Sequence, residues 1–269
     1  MNTTFHSRMR SAVLVAVALF ATLPASARIT RSRSSASSNN ATPDGKPSLL
    51  TPFYSLVLGV GIQYQRDHEQ TEYGFPMLIE YSFSDRLKLT IEPIYSHITG
   101  RTPDGRSVSG FGDLEMTLDY EFLTERRYRP ALSLESGVRF PTAADPDLGE
   151  RGRDYSLGLI ASKDYVFMDV DLNVIYTRVG DREKENTIEI SLATEWRLNR
   201  TFSFIAEVSN VRRLGALHGE EKGDRNESEA TLGLGWQINK HFKFEQGIVF
   251  KEHGIHEIVS AWEWNIGGD

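Results

Sequence analysis

Ser55 to Gln65 reads SLVLGVGIQYQ, with Leu56, Leu58, Val60, Ile62 and Tyr64 alternating against Ser55, Gly59, Gly61, Gln63 and Gln65. A strict two-residue period is the signature of a strand with one apolar and one polar face. Outward from this stretch the same period returns at 73–83, 87–95, 114–122, 132–140, 155–161, 170–176, 188–196, 202–208, 230–236, 242–250 and 258–266. That predicts twelve strands, an even number, each near the roughly 10 residues of a transmembrane barrel strand.

The connections alternate too. Short links fall at Ser84 to Arg86, Leu123 to Arg129, Asp164 to Phe167, Asn199 to Thr201 and Asn239 to His241. Between them lie longer polar links: Arg66 to Glu72, Thr99 to Gly110, Thr142 to Arg153, Gly180 to Asn186, Arg212 to Asn226 and Lys251 to His256. Short turns on one rim and long loops on the other are the habit of outer-membrane barrels, and an even strand count returns both termini to the short-turn, periplasmic side. The predicted fold is therefore all-β, a 12-stranded antiparallel transmembrane β-barrel spanning 49–269.

What precedes the barrel reads as an address and a tether. Residues 1–27 carry Arg8 and Arg10, an apolar run from Ala12 to Leu23 and then Pro24-Ala25-Ser26-Ala27, the form of a signal peptide cleaved after export. Residues 28–48 are rich in Ser, Asn and Arg, too polar to bury, and read as a disordered periplasmic tail. Up to Lys46 there are six basic residues against one acidic, a net of +5 within a chain of net -7, which leaves -12 for the remainder.

Composition closes off other classes. A mean hydropathy of -0.37 and 25% charged residues leave no room for a bundle of apolar membrane helices. There is no cysteine for a disulfide, a thiol nucleophile or a cysteine-held metal. An acidic barrel is the wrong partner for a phosphate backbone, so no nucleic acid is expected.

The polar face decides which way the strands point. It carries Glu80, Lys88, Glu92, Asp113, Glu115, Asp119, Glu121, Glu135, Arg139, Glu189, Glu195, Arg197, Glu207 and Glu245, with Asp171, Glu229, Lys243 and Glu263 in the same phase. An Arg or Lys facing lipid at mid-depth costs about 2–4 kcal/mol, so these residues are expected to line the lumen. The apolar face then meets the bilayer, and Phe83, Phe122, Phe167, Trp196, Phe202, Trp236 and Phe242 fall beside the short turns, where interfacial aromatics sit. A soluble barrel or sandwich with the apolar face inside is the competing reading.

One group of motifs adds a family. Gly110-Phe111-Gly112-Asp113-Leu114, then Tyr120-Glu121-Phe122, Pro130-Ala131-Leu132, Gly137-Val138, Phe140-Pro141-Thr142 and Asp154-Tyr155-Ser156-Leu157-Gly158 resemble the outer-membrane proteins of the MetA-pathway phenol-degradation family. The resemblance implies a small Gram-negative outer-membrane barrel that transports aromatic or other hydrophobic compounds. The chain departs from many such barrels at its end, Trp264-Asn265-Ile266-Gly267-Gly268-Asp269, where the aromatic assembly signal would have to be read from Trp262 and Trp264.

In Gly110-Phe111-Gly112-Asp113 the glycines let the chain leave a loop and enter a strand, and Asp113 starts the inward face. Hairpin register brings Asp113 and Glu115 near Arg139, where the two readings are a lumenal ion pair and a solvated set of charges with nothing specific to bind. A lumen rich in carboxylates concentrates cations and repels anions. Alternatively Lys88, Arg139, Arg197 and Lys243 bridge the carboxylates and pack the interior shut, since twelve strands fall between filled and open barrels.

The expected function is passive passage of small solutes, aromatic or hydrophobic compounds among the candidates, with the loops 99–110 and 212–226 at the mouth. The expected partners are outer-membrane lipid, the solute and, during biogenesis, the barrel-assembly machinery. Two readings stay open beside it: a plugged structural or surface-binding barrel, and a lipid-modifying enzyme built on His97. There is no G-x-S-x-G elbow. His253 and His256 with Glu252 and Glu257, His68 with Glu69, and His218 with Glu220 and Glu221 read as loop residues rather than metal ligands. Pro103-Asp104-Gly105 and Asp145-Pro146-Asp147 read as turn formers before calcium ligands. No cofactor or catalytic residue is assigned.

Overall fold

The computed structural model describes residues 55–66, 70–100, 107–150, 152–181, 184–214, 226–251 and 256–266. The signal peptide and tail expected at 1–27 and 28–48 lie outside them. The described strands are β1 (Leu56–Arg66), β2 (Gln70–Ser82), β3 in two segments (Leu87–Glu92 and Ile94–Gly100), β4 in two segments (Val108–Phe111 and Leu114–Leu123), β5 (Ala131–Phe140) and β6 (Asp154–Tyr165). They continue with β7 (Met168–Arg178), β8 (Asn186–Arg197), β9 (Phe202–Leu214), β10 (Asn226–Asn239), β11 (Phe242–Lys251) and β12 (His256–Ile266).

Each strand pairs antiparallel with its sequence neighbours, and β1 closes the ring by pairing with both β2 and β12. The result is a closed twelve-stranded barrel, as the alternation predicts. Closure leaves no free edge, which a membrane requires because no water is present to satisfy open backbone groups.

Pro93 separates the two segments of β3. It has no N–H to donate, yet its carbonyl accepts from Met77 N at 3.0 Å, so the pairing with β2 resumes on both sides. The break in β4 is different in kind. Phe111 pairs with Tyr95 and Glu115 with Glu92, so four steps on β4 face three on β3, which is a β-bulge at Gly112-Asp113. The expected link from Thr99 to Gly110 is correspondingly shorter, because β3 runs on to Gly100 and β4 begins at Val108.

Burial is inside-out. Among the described residues ten hydrophobic side chains are buried against twenty-three polar or charged ones, and Gln63, Thr117 and Ser133 are almost wholly enclosed. Leu58, Ile62, Leu118, Leu134, Leu159, Leu172 and Leu234 instead lie exposed on the outer wall. A soluble barrel would have the reverse, so the outward apolar face is the lipid face.

Candidate permeation cavity

The bulge in β4 turns Asp113 inward, where it is 9% exposed. Its carboxylate does not reach for Arg139. Asp113 Oδ2 accepts from Glu150 N at 2.7 Å and Oδ1 from Ala143 N at 3.1 Å. Both donors belong to the β5–β6 connection, which thereby folds back as a strap. Thr142 Oγ1 accepts from Leu114 N at 2.9 Å, and Ala144 N donates to Phe111 O at 2.9 Å. A single 3-10 turn, Pro146–Leu148, follows the Asp145 cap, and Leu148 packs against Gly110. A Cβ at Gly149 would stand 2.4 Å from Ala143 Cβ and 2.5 Å from Asp113 Oδ1, so a larger residue forces the strap to shift.

The strap is tied to the next long loop as well. Glu150 pairs with Lys184, and Gly180 N donates to Asp154 Oδ1 at 2.8 Å. Arg139 forms its ion pair with Asp154, its register neighbour on β6. The Asp113–Arg139 form of the ion pair is therefore corrected. Glu115 is indeed the register partner of Arg139 on β4, but the bulge sets Asp113 apart and the strap amides claim its oxygens.

Inside the wall lies a cavity of about 900 Å³. Of the fourteen inward residues singled out in the sequence, Glu80, Lys88, Glu92, Asp113, Glu115, Asp119, Glu135, Arg139, Glu189 and Glu207 line it. Glu121, Glu195, Arg197 and Glu245 do not. The lining also includes Asp147 and Glu150 from the strap and Asp154, Asp171, Glu185, Glu227, Glu229, Glu257 and Glu263. In all, seventeen Asp and Glu stand against four Lys and Arg. Pro76, Leu78, Ile94 and Ile98 add an apolar strip on β2 and β3.

The bases that do point inward are held by carboxylates. Lys88 Nζ is 3.0 Å from Glu80 and 3.7 Å from Asp119. Lys243, only 7% exposed, lies 3.1 Å from Glu195 and 2.6 Å from Glu245. Arg197 is near the short-turn rim, 2.6 Å from Asp169 and 3.0 Å from Asp164. Lys251 reaches Glu257 at 3.0 Å and Gln65 Oε1 at 3.1 Å. Burying a charge is costly unless it is paired, and these bridges fill part of the lumen with side chains while leaving the cavity beside them.

The aromatics beside the short turns point outward. Phe83, Phe122, Phe167, Trp196, Phe202 and Trp236 are 43–64% exposed, and Phe242 is half-buried against Trp264 with ring centroids 5.4 Å apart. Phe202 stacks on Trp236 at 5.9 Å.

The strap is the cavity-lining element that sequence reasoning missed. Asp145-Pro146-Asp147 marks a turn, but only the fold-back onto Asp113, thirty residues upstream of Ala143, places that turn in the lumen. Most of the loops expected at the mouth, 101–106 and 215–225, lie outside the described residues, as do His68, His218 and His253. Among the described residues no group of three or more potential ligands could hold a metal ion.

Residues 94–252 match the family model described as "Putative MetA-pathway of phenol degradation". The fold is similar to that of an outer membrane channel from Pseudomonas putida F1, with a TM-score of 0.69 at 12% identity, covering 81% of this chain and 97% of that one. It is also similar to the NanC porin, with a TM-score of 0.59 at 10% identity over 77% and 98% of the two chains. The KdgM porin in complex with disordered oligogalacturonate gives 0.54 at 8% identity over 78% and 99%. No curated protein matches the sequence. With more than half of its length matched by the model and with the motifs from Gly110 to Asp164 inside that match, the chain belongs to the MetA-pathway phenol-degradation family of outer-membrane barrels.

Proposed function

We propose that the barrel passes small solutes across the outer membrane by diffusion through its lumen, and that the carboxylate-rich lining makes the passage favour cations over anions. The observation that carries this reading is the cavity itself, about 900 Å³ with seventeen acidic lining residues and four basic ones. Carboxylates around a narrow, low-dielectric path raise the local cation concentration. The apolar strip of Pro76, Leu78, Ile94 and Ile98 gives aromatic or hydrophobic compounds a surface to slide on, in keeping with the family. On this reading 1–27 is removed on export, 28–48 remains as a periplasmic tail, both termini are periplasmic, and the outward aromatics sit at the membrane interface.

No enzymatic chemistry is proposed. His97 lies opposite Ser109 across β3 and β4, on the outward face. Its outward neighbours in register are Tyr73, Tyr95 and Phe111, which bring no carboxylate to orient an imidazole.

The test is conductance of the purified barrel in a planar bilayer, with the reversal potential read under a salt gradient. Cation-selective steps support the reading. A folded barrel that stays silent would remove it and leave a plugged scaffold.

A further inference from the structure

The two rims of the barrel differ in charge. The short-turn connections hold six basic residues and two acidic ones, whereas the described part of the long-loop connections holds two basic and five acidic. The basic residues are most concentrated where two short turns adjoin. Arg126 and Arg129 bond each other through their backbones, N to O at 2.9 and 3.1 Å, closing a hairpin with Arg127 and Tyr128 at its tip. Glu121 N donates to Arg86 O at 2.8 Å, which seats the β2–β3 turn against the stem of that hairpin.

Arg86, Arg126 and Arg127 are exposed, and the Arg127 guanidinium lies 5.2 Å from the centre of the Tyr128 ring, which is 86% exposed. The nearby acids do not neutralise this group. Glu125 is taken by Lys163 and by Asp164 N, which leaves Asp85 alone in the neighbouring turn. Like charges packed onto one hairpin repel each other, and an anion is the partner that relieves them. The depth indicates which anion. Phe83 and Phe122 are outward aromatics on β2 and β4, and Arg126 follows Phe122 by four residues, at most about 13 Å of extended chain. Arginines just beyond an aromatic belt lie at headgroup level, with their stems along the apolar surface.

We infer that Arg86, Arg126, Arg127 and Tyr128 form a binding surface for the phosphate headgroup of an anionic phospholipid in the leaflet that meets the short turns. The guanidiniums hold the phosphate bidentately, and the Tyr128 ring beside Arg127 borders the headgroup on its aqueous side. This is independent of what the lumen conducts.

The full-length protein in neutral detergent micelles, supplied with equimolar phosphatidylglycerol and phosphatidylcholine, tests it by mass spectrometry of the retained lipid. Phosphatidylglycerol should be retained in clear excess. A single Arg127→Gln change should lower that excess by about five-fold, the worth of one basic residue at an anionic surface. The triple variant Arg86→Gln, Arg126→Gln, Arg127→Gln should abolish it, while Lys184→Gln on the other rim leaves it intact. Retention in the supplied ratio by the wild type, or an undiminished excess in the triple variant, overturns the assignment. Displacement of the lipid by inorganic phosphate would mark a free-phosphate site and overturn it equally.

Discussion

Asp113 and Glu150 are thirty-seven residues apart in sequence, and the carboxylate of the first holds the backbone N–H of the second at 2.7 Å. That bond, with its companion to Ala143 N, keeps the β5–β6 strap inside the barrel mouth, where Asp147, Leu148, Gly149 and Glu150 narrow the cavity. Asp113→Ala should leave two amides unsatisfied at a cost of about 2 kcal/mol. The strap should then swing free, raising conductance and current noise. Gly149→Ala should reproduce the effect without altering any charge, because its Cβ would fall 2.5 Å from Asp113 Oδ1. Bilayer recordings and urea midpoints of the two variants check this; unchanged conductance in both would mean that the strap does not limit the passage.

The Lys243 bridges are a matter of stability rather than selection, since neither Lys243 nor Glu195 lines the cavity. Lys243→Met should cost about 3–5 kcal/mol, because Glu195 and Glu245 lose their cation inside the wall. Adding Glu195→Gln and Glu245→Gln should recover much of the loss, since the cost comes from uncompensated charge more than from the missing lysine. Urea unfolding followed by tryptophan fluorescence compares the three proteins.

Phase was legible in the sequence and fold-back was not. Alternation through Ser55 to Gln65 and eleven further stretches gives the strands and the inward set, because a strand's side chains keep to a two-residue period whatever they pack against. Asp113 keeps the inward phase that its period predicts, but no local signal shows the bulge before it or says which distant backbone its carboxylate will meet. Arg139 shows a related limit. Hairpin register offered it partners on β4, yet it also faces β6 across the other edge, and there Asp154 takes it. Each barrel strand has two neighbours, and pairing read from one hairpin sees only one of them.

Charge selectivity should follow position in the cavity rather than charge count. Glu189→Gln, Glu207→Gln and Glu229→Gln together remove three lining carboxylates from neighbouring strands and should shift the reversal potential markedly toward zero. Glu195→Gln removes a carboxylate that does not line the cavity, so its shift should be far smaller. Equal shifts per charge would place the ion path elsewhere in the lumen.

Glycines in tight places separate cheap contacts from costly ones. A Cβ at Gly137 would meet Ser156 Oγ at 2.2 Å, the end of a short side chain that can rotate away. At Gly152 it would meet the backbone of Gly180 and Asp181 at 2.3 and 2.4 Å, where the β5–β6 and β7–β8 loops are pressed together and Gly180 N is already committed to Asp154. Gly152→Ala must therefore part the two loops, and overpacking of this kind costs about 1–3 kcal/mol. Loosening that seam should also weaken the Lys184 tie to Glu150, so Gly152→Ala should share the noisier currents of the Asp113 variant. Gly137→Ala should keep wild-type currents and lose less stability, and the opposite ranking in urea midpoints would show that the two loops are not a joined cap.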